Sequence, residues 1–381
     1  MTIISALRTT RTPALAFVAI GLFWGTFAAM VPVTKARLGV EDAAFGGLLL
    51  CSAAGLLVSM WLAPRLDRLL GARGMQVAAA AFGATMLLPG IVTHPLAFAA
   101  TMAALGLASG TLDVIMNARV SELEARAARP LMNANHGMFS LAYAVAAVVT
   151  GLAREAGFSA PTIFGSAAVA ILVLALSLWM EVETESPEGG RSDCLPVHPV
   201  LLCGSVALLA FAGEAAVEAW SALHVERTLG GGAAEGALGP AMLGLTMAFG
   251  RFSGQAVSAR LDEFHIMAGG TALAMGGAAI VAAATTIPLA YFGFGLLGLG
   301  VSVIGPIAIG LAGRLVPAQV RTDAIARTAV LGFMAFFLAP MVMGVVSQIA
   351  GLRVAFLVMG LLVGLIFVLL PPLRRLLHQQ L

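Results

Sequence analysis

The composition of this 381-residue chain is that of a protein whose surface faces lipid: 60% of its residues are hydrophobic, 10% are charged, and the mean hydropathy is +0.98. Soluble domains carry about 25% charged residues, so this chain has too few charges to cover a water-facing surface. The net charge of +2 and the lack of a basic cluster argue against a nucleic-acid partner, and the three cysteines show neither metal-ligand spacing nor a disulfide framework.

Apolar stretches long enough to cross a bilayer, which takes about 20 residues, run along the whole chain. Twelve are predicted, over residues 13–34, 43–63, 75–93, 96–118, 131–152, 159–180, 199–223, 237–257, 267–286, 289–312, 326–349 and 353–373. The first begins after two arginines and has no small-residue cleavage site behind it, so it is predicted to be an uncleaved helix and not a signal peptide.

The basic residues predict the orientation of these spans. With both termini in the cytoplasm, fifteen of the 21 lysines and arginines lie on the cytoplasmic side and five on the outer side, as the positive-inside rule requires. We therefore predict that both termini are cytoplasmic, and we expect a monomer in the bacterial inner membrane. The polar segment 181–198 is predicted to be a flexible cytoplasmic linker between an N-terminal bundle, 1–180, and a C-terminal bundle, 199–381.

The chain repeats itself at an offset of 195 residues, because LAPRLDR at 62–68 returns as VSARLDE at 257–263. The same shift aligns three glycines and two further arginines with their own kind, namely Gly55 with Gly250, Gly74 with Gly269, Gly137 with Gly332, Arg119 with Arg314 and Arg126 with Arg321. In a membrane protein, two copies of one half with the same topology are typical of a transporter with its site between the halves.

Twelve spans, this duplication and an arginine/aspartate loop after the second span of each half resemble the major facilitator superfamily. The first loop reads Ala63, Asp67, Arg68, Gly71 and Arg73, whereas the second keeps Asp262 and has Glu263 in place of the arginine. The resemblance implies an all-α integral membrane fold of twelve transmembrane helices in two pseudo-symmetric six-helix bundles. It also implies alternating access, in which the bundles rock around a central cavity.

A narrower likeness lies at 113–142, which resembles the fourth and fifth helices of the fucose–proton symporter group and of a related bacterial branch. In that group an acid stands four residues before an asparagine, as Asp113 and Asn117 do here, and a polar residue follows on the next helix, here His136. The fucose symporters also carry a carboxylate in their first helix, and residues 13–34 contain none. The resemblance therefore implies a proton-coupled sugar transporter and leaves the sugar open.

Three carboxylates at membrane depth, Asp113, Glu214 and Glu218, are the predicted proton-coupling residues. An ionisable side chain there costs roughly 2.5–3.5 kcal/mol on insertion scales, so its presence needs a reason. Asp113 shares a helix face with Asn117, and Glu214 shares one with Glu218. Carboxyl groups away from water favour the neutral form, and close pairs resist double ionisation. The alternatives are a structural hydrogen bond or, for Glu218, solvation near the outer surface.

Two further sets of residues are predicted to bind the solute and to gate its path. Aromatic and polar side chains near the acids are expected to contact the solute, namely Trp24, Asn117, Asn133, His136 and Trp220. Interfacial tryptophans and an ordinary hydrogen-bonding histidine are the alternatives. Charges at the repeated loops are expected to lock the cytoplasmic side and to break on rocking, namely Arg65, Asp67, Arg68, Arg260 and Asp262, with Arg251 inside a span as a further gate. Solvated loop charges are the alternative.

No phosphate-binding glycine loop, HExxH or GxSxG motif occurs, so the sequence predicts no enzyme, no metal and no cofactor. It predicts a secondary transporter that couples protons to a small polar solute, such as a sugar or sugar derivative. Proton-driven efflux of amphipathic compounds and a non-transporting membrane sensor remain as alternatives. The 195-residue shift aligns the three buried acids with Ala308, Ala19 and Phe23, so the scaffold is repeated and the chemistry is not.

Overall fold

A computed structural model describes residues 3–127, 129–181, 196–258, 262–317 and 320–380, and this part of the chain is helical with no strand. In chain order the helices are α1 (Ile3–Thr9), α2 (Arg11–Leu38), α3 (Asp42–Leu70), α4 (Gly74–Thr85), α5 (Leu88–Ile91), α6 (Pro95–Ala127), α7 (Met132–Glu155), α8 (Ala160–Leu176), α9 (Val197–Leu223), α10 (Ala233–Ser258), α11 (Glu263–Ala283), α12 (Ile287–Arg314), α13 (Arg321–Phe333), α14 (Ala335–Gly364) and α15 (Ile366–Gln380).

The twelve predicted spans are present. Eight helical stretches of the described chain are long and apolar enough to cross a membrane, and two of them, Asp42–Ile91 and Asp323–Leu377, are long enough for two passes each. Each of these two contains a glycine with positive φ, Gly71 at 53° and Gly351 at 84°, where the helical path is broken. The shorter apolar helix α8 and the helix α10 account for the sixth and eighth spans.

Two spans are less regular than the sequence predicts. The third, predicted as continuous over 75–93, ends as α4 at Thr85 and resumes as the single turn α5, which holds Pro89. Proline has no N–H to donate and restricts the residue before it, so a break at this point is expected. The eleventh span, predicted to begin at 326, begins at Arg321 and is divided at Met334 between α13 and α14.

Glycines bring the second and fourth spans of each half into close contact. A Cβ atom at Gly55 would lie 2.0 Å from the carbonyl oxygen of Ala103, so α3 and α6 can approach this closely only without a side chain at this position. The repeat partner Gly250 lies equally close to α12, because a Cβ atom added to it would lie 2.1 Å from Oγ of Ser302. The repeated glycines therefore mark the same helix contact in both halves.

The N-terminal half, α1 to α8, meets the C-terminal half, α9 to α15, mainly along two helix pairs, α7 with α10 and α3 with α14. Helix α3 runs the length of the molecule, with Asp42 as its first residue and Asp67 in its last turn. At 1.5 Å per residue these two carboxylates are roughly 37 Å apart. We therefore refer to the Asp42 end and the Asp67 end of the molecule.

Candidate functional site

A buried arginine joins the two halves at mid-depth. Arg251 on α10 donates from Nη2 to Oε1 of Glu214 on α9, at 3.3 Å, and from Nη1 to Oγ of Ser140 on α7, at 2.5 Å. The same Nη1 lies 3.5 Å from the carbonyl oxygen of His136. The Arg251 and Glu214 side chains are only 9% and 6% exposed. We call this contact the Arg251 bridge. In it, the buried cation pairs with a carboxylate of its own half and also binds a hydroxyl group of the other half.

The sequence of α10 places Arg251 against α7. A Cβ atom at Gly244 would lie 2.9 Å from the carbonyl oxygen of Ser140, so the missing side chain lets the α7 backbone approach. Two turns further along α10, Arg251 emerges on this contact face and reaches the Ser140 hydroxyl. A residue with a side chain at 244 would push the two helices apart and lengthen the bridge.

Glu218 and Tyr143 lie one helical turn beyond the Arg251 bridge. Both α7 and α9 run from the Asp67 end to the Asp42 end, and one turn advances 5.4 Å. Glu218 follows Glu214 by four residues and Tyr143 follows Ser140 by three, so both are displaced toward the Asp42 end. Sequence analysis missed Tyr143, which has no charge to mark it.

Asp113 forms a separate polar site on α6. Asn117 Nδ2 donates to Asp113 Oδ1 at 3.1 Å and to the Asp113 carbonyl oxygen at 2.8 Å, so the two side chains do share one helix face. Within the described residues, no hydrogen bond or ion pair joins Asp113 to Glu214, to Glu218 or to a basic residue. The three predicted proton sites therefore form two groups, one in each half.

The His136 and Trp24 side chains pack against other residues of the N-terminal half. The His136 ring packs edge-on against Phe17, with 4.9 Å between ring centroids, and its carbonyl oxygen is the group that faces Arg251. Trp24 is partly buried and packs edge-on against Phe23 at 4.8 Å. Neither side chain makes a hydrogen bond with a described residue, although both lie near the helices of the Arg251 bridge.

Trp220 and Asn133 lie away from the Arg251 bridge. Trp220 is fully buried, and its indole packs edge-on against Phe45 of the opposite half at 6.1 Å between centroids. Its Nε1 has no hydrogen-bond partner among the described residues. Asn133 is exposed in the first turn of α7, at the Asp67 end. Their predicted contact with the solute therefore stays a prediction, and Trp220 in this conformation is part of the contact between the halves.

The densest polar contact between the halves centres on Asp42. Its Oδ1 and Oδ2 accept hydrogen bonds from Arg227 of the C-terminal half at 2.8 Å and 2.6 Å, a bidentate pair. Oδ2 also accepts one from Ser347 Oγ at 2.5 Å, and Lys35 Nζ lies 3.0 Å from Oδ1. Beside it, Gln348 Oε1 accepts from the backbone N–H of Ala43 at 3.0 Å. We call this group of contacts the Asp42 network.

A second ion pair joins the halves at the same end. Arg154 donates to both carboxylate oxygens of Glu226, at 2.7 Å and 3.0 Å, and to the carbonyl oxygen of Ala29 at 2.6 Å. Glu226 and Arg227 are neighbours on a π-helical turn, His224–Thr228, that continues α9. Such turns are rare and occur often at functional sites. Sequence analysis missed both contacts because their partners are far apart in the chain and belong to no repeated motif.

At the Asp67 end the repeated arginines pair within their own halves. Arg119 donates to Asp67 Oδ1 at 2.6 Å and to Glu122 Oε1 at 2.8 Å, and its repeat partner Arg314 pairs with Glu263. The second contact is displaced by one residue, because Glu263 aligns with Arg68 and not with Asp67. The Arg119–Asp67 pair ties the second span of the N-terminal half to its fourth, and the Arg314–Glu263 pair ties the third span of the C-terminal half to its fourth. In this conformation neither pair crosses between the halves.

The other residues of the predicted gate also make local contacts. The Arg65 guanidinium lies 3.9 Å from the centre of the Trp61 ring and donates to the Trp61 carbonyl at 2.7 Å. Asp262 contacts His265 Nδ1 at 3.0 Å, and Arg68 is exposed. Arg260 lies outside the described residues. Locking of the cytoplasmic side by these charges stays a prediction.

The polar contacts between the halves named above lie toward one end of the molecule. These hydrogen bonds and ion pairs join the halves at the Asp42 end and at the Arg251 bridge. The molecule is thus held shut at the Asp42 end. Of the five predicted gating residues that the structure describes, Arg251 is the one whose contacts given above join the two halves.

Comparison with known proteins adds relatives of this chain, although no protein-family model matches it. It is 28% identical over 347 residues to an uncharacterised MFS-type transporter of Yersinia pestis, covering 90% of both chains. It is 29% identical over 380 residues to an uncharacterised transporter of Sinorhizobium fredii, covering 96% of this chain and 98% of the relative. These relatives do not confirm the narrower resemblance to fucose–proton symporters.

Solved structures share the fold at low sequence identity. A bacterial homologue of the human lysosomal transporter Spinster, inward-facing and unoccupied, aligns with a TM-score of 0.75 and 13% identity over 98% of both chains. A D-xylose–proton symporter aligns with a TM-score of 0.72 and 16% identity, covering 96% of this chain and 97% of the symporter. The relatives and the structural neighbours are transporters, not enzymes.

Proposed function

We propose that this chain, a transporter of the MFS kind, moves a small polar solute across the bacterial inner membrane by proton-coupled alternating access. The Arg251 bridge is the observation that carries the proposal. A buried cation that binds Glu214 in its own half and Ser140 in the other must change partners when the halves rock. Its position couples the state of one carboxylate to the contact between the halves.

The coupling step follows from the charge of the bridge. Protonation of Glu214 removes the counter-charge of Arg251, and a buried charge that loses its partner costs about 3–5 kcal/mol. Arg251 must then find another acceptor, and Glu218, one turn away, and the hydroxyl groups of a bound solute are available. Proton binding at Glu214 therefore weakens one set of contacts around Arg251 and favours solute binding or rocking. Asp113, hydrogen-bonded to Asn117 in the other half, is the second proposed proton site.

A solute with several hydroxyl groups, such as a sugar or a sugar derivative, suits this set of groups. Arginine and asparagine donate hydrogen bonds to sugar oxygens, and the carboxylates accept from sugar hydroxyls. The D-xylose–proton symporter that shares the fold moves such a solute together with protons. That likeness supports the proposal and leaves the solute of this chain to experiment.

The orientation completes the proposal. The excess of basic residues supports an orientation with the Asp67 end and both termini in the cytoplasm. In this orientation the closed Asp42 end faces outward, and we propose a monomeric transporter in an inward-facing conformation. Segment 181–198 links the bundles 1–180 and 199–381 on the cytoplasmic side. The charges at the Asp67 end would form their contacts between halves in the outward-facing state.

The test is proton flux driven by solute in proteoliposomes that contain a pH-sensitive dye. Pentoses, hexoses and their derivatives are added one at a time to the wild-type protein, and the active solute is then tested on variants. We expect Glu214→Gln and Asp113→Asn to lose the solute-driven proton flux. The control is Glu235→Gln, the same change at an exposed residue that binds only Gly232 N–H, at 2.8 Å, with its side chain. Unchanged flux in both site variants would contradict the coupling, and dye extrusion in place of sugar uptake would favour efflux.

A further inference from the structure

One carboxylate of the central site makes no direct contact with a basic residue among the residues that the structure describes. Glu214 is neutralised by Arg251. Glu218, one turn nearer the Asp42 end, makes no hydrogen bond and no ion pair with the described residues, and its side chain is only partly buried. A carboxylate at this depth is costly to keep without compensation. Glu218 is therefore free to bind a cation that the protein does not supply.

A second group at the same level also lacks a partner. Tyr143 is 1% exposed, and its hydroxyl makes no hydrogen bond with any described residue. A buried hydroxyl without a partner costs about 1–3 kcal/mol. The Tyr143 hydroxyl belongs to the N-terminal half and Glu218 to the C-terminal half, and each residue lies about one helical turn from a member of the Arg251 bridge, toward the Asp42 end. Each half thus contributes one acceptor without a hydrogen-bond partner at the same level of the boundary between the halves.

We propose that the transported solute carries a protonated amine, which Glu218 binds as its counter-charge and the Tyr143 hydroxyl binds as a second acceptor. An ammonium group has three N–H donors and no acceptor, so it suits a carboxylate and a phenolic oxygen together. The rings of Tyr143 and Phe139, 6.2 Å apart, add aromatic faces that attract cations.

An anionic solute and a neutral solute both fit this site less well. An anionic solute would be repelled by Glu218, and Arg251, one turn away, is already bound to Glu214 and Ser140. A neutral sugar would supply no counter-charge, so Glu218 would have to take up a proton instead. This inference rests on the proposed transport function and narrows its solute class to polyols or sugars that bear an amino group. Because the ammonium contacts both halves, its binding would also draw the halves together at this level.

The experiment measures thermal unfolding of the purified full-length protein with matched pairs of solutes. The pairs are glucosamine with glucose, galactosamine with galactose, and meglumine with sorbitol, and N-acetylglucosamine serves as an uncharged amide control. A bound solute raises the melting temperature by mass action. We expect at least one amine to stabilise the protein while its hydroxyl partner and the amide do not.

Variants then assign the amine to its site. Glu218→Gln is expected to weaken binding of the stabilising amine at least about tenfold, the factor for one hydrogen bond to a charged group. Glu218→Asp should keep most of the binding, Tyr143→Phe should weaken it by a smaller factor, and the exposed change Glu235→Gln should leave it unaltered. Unaltered amine affinity in Glu218→Gln would overturn the proposal, as would stabilisation only by neutral or anionic solutes or by none of the amines.

These outcomes are separable from failure of the proposed function. Proton flux driven by a neutral sugar, retained in Glu218→Gln, would refute the amine and keep the transporter. Amine binding that depends on Glu218 without any solute-driven flux would support the binding site and refute proton-coupled transport.

Discussion

Replacing Asp42 by asparagine should release the Asp42 end of the molecule. The change keeps the shape of the side chain and removes the charge that binds Arg227 twice, Ser347 once and Lys35 as an ion pair. All contacts with Arg227 and Ser347 cross between the halves. The variant therefore weakens the closed conformation and leaves each half intact, so its effect falls on the equilibrium between conformations.

The exposure of the two partners determines the size of the effect. Truncating one partner of a buried, hydrogen-bonded charge pair costs about 2–5 kcal/mol, whereas exposed pairs contribute about 0.2–1 kcal/mol. The Asp42 side chain is 5% exposed and that of Arg227 is 42% exposed, so the pair lies between these limits. We expect a loss of about 1–2 kcal/mol, which at about 1.4 kcal/mol per factor of ten raises the population open at this end roughly 5- to 30-fold.

Distances between spin labels across the Asp42 end measure this population. The labels are attached to cysteines at Phe158 and Ile349, exposed positions on opposite halves at this end, after Cys51, Cys194 and Cys203 are replaced by alanine. We expect Asp42→Asn to increase the fraction at long distance by the stated factor in lipid nanodiscs.

The matched control is Arg353→Gln, which removes an arginine at the same end that contacts only its own half, donating to the Ala282 carbonyl oxygen at 3.0 Å. This variant should lower stability and leave the distance distribution in place. An unchanged distribution in Asp42→Asn would show that the Asp42 network does not hold this end shut, whatever its geometry.

Two further predictions concern packing and stability. Gly25→Ala should lower the free energy of unfolding by about 1–3 kcal/mol, because the added Cβ would lie 2.1 Å from the Tyr143 carbonyl oxygen and must displace backbone, whereas Gly47→Ala, with open space around it, should change little in the same thermal unfolding assay. Arg119→Gln should lower the melting temperature through the loss of a buried cation that binds two acids, one of them Asp67, and should leave the label distances at the Asp42 end unchanged. Equal melting temperatures for Gly25→Ala and Gly47→Ala, or a shifted distance distribution in Arg119→Gln, would contradict these assignments.

Most of the fold was predictable because its signals are local. Lipid allows a span only as a helix of about 20 apolar residues, so composition and length alone locate the spans. The duplication was equally visible, and Gly55 and Gly250 indeed occupy the same helix contact in the two halves. The failures came inside two spans, at Pro89 and at Met334, because hydropathy does not report backbone dihedrals.

The candidate site was predictable in its residue types and not in its pairings. Rarity of charge inside a span singled out Asp113, Glu214 and Arg251, since each such group needs a reason in lipid. Nothing in the sequence paired Arg251 with Ser140, 111 residues away, or left Tyr143 without a partner beside Glu218. Those facts depend on the register between α7 and α10, which glycine contacts determine.

By itself the sequence determined that the surface faces lipid, how many spans there are, that the scaffold is repeated and which acids break its symmetry. Each of these properties depends on residues that are adjacent or regularly spaced in the chain. Only the tertiary structure decided which end of the molecule is closed. Asp42 and Arg227 are 185 residues apart, and each taken alone is an ordinary charge near the end of a span. Whether two such charges meet depends on how the two halves are tilted, and the same sequence must permit both tilts in order to transport.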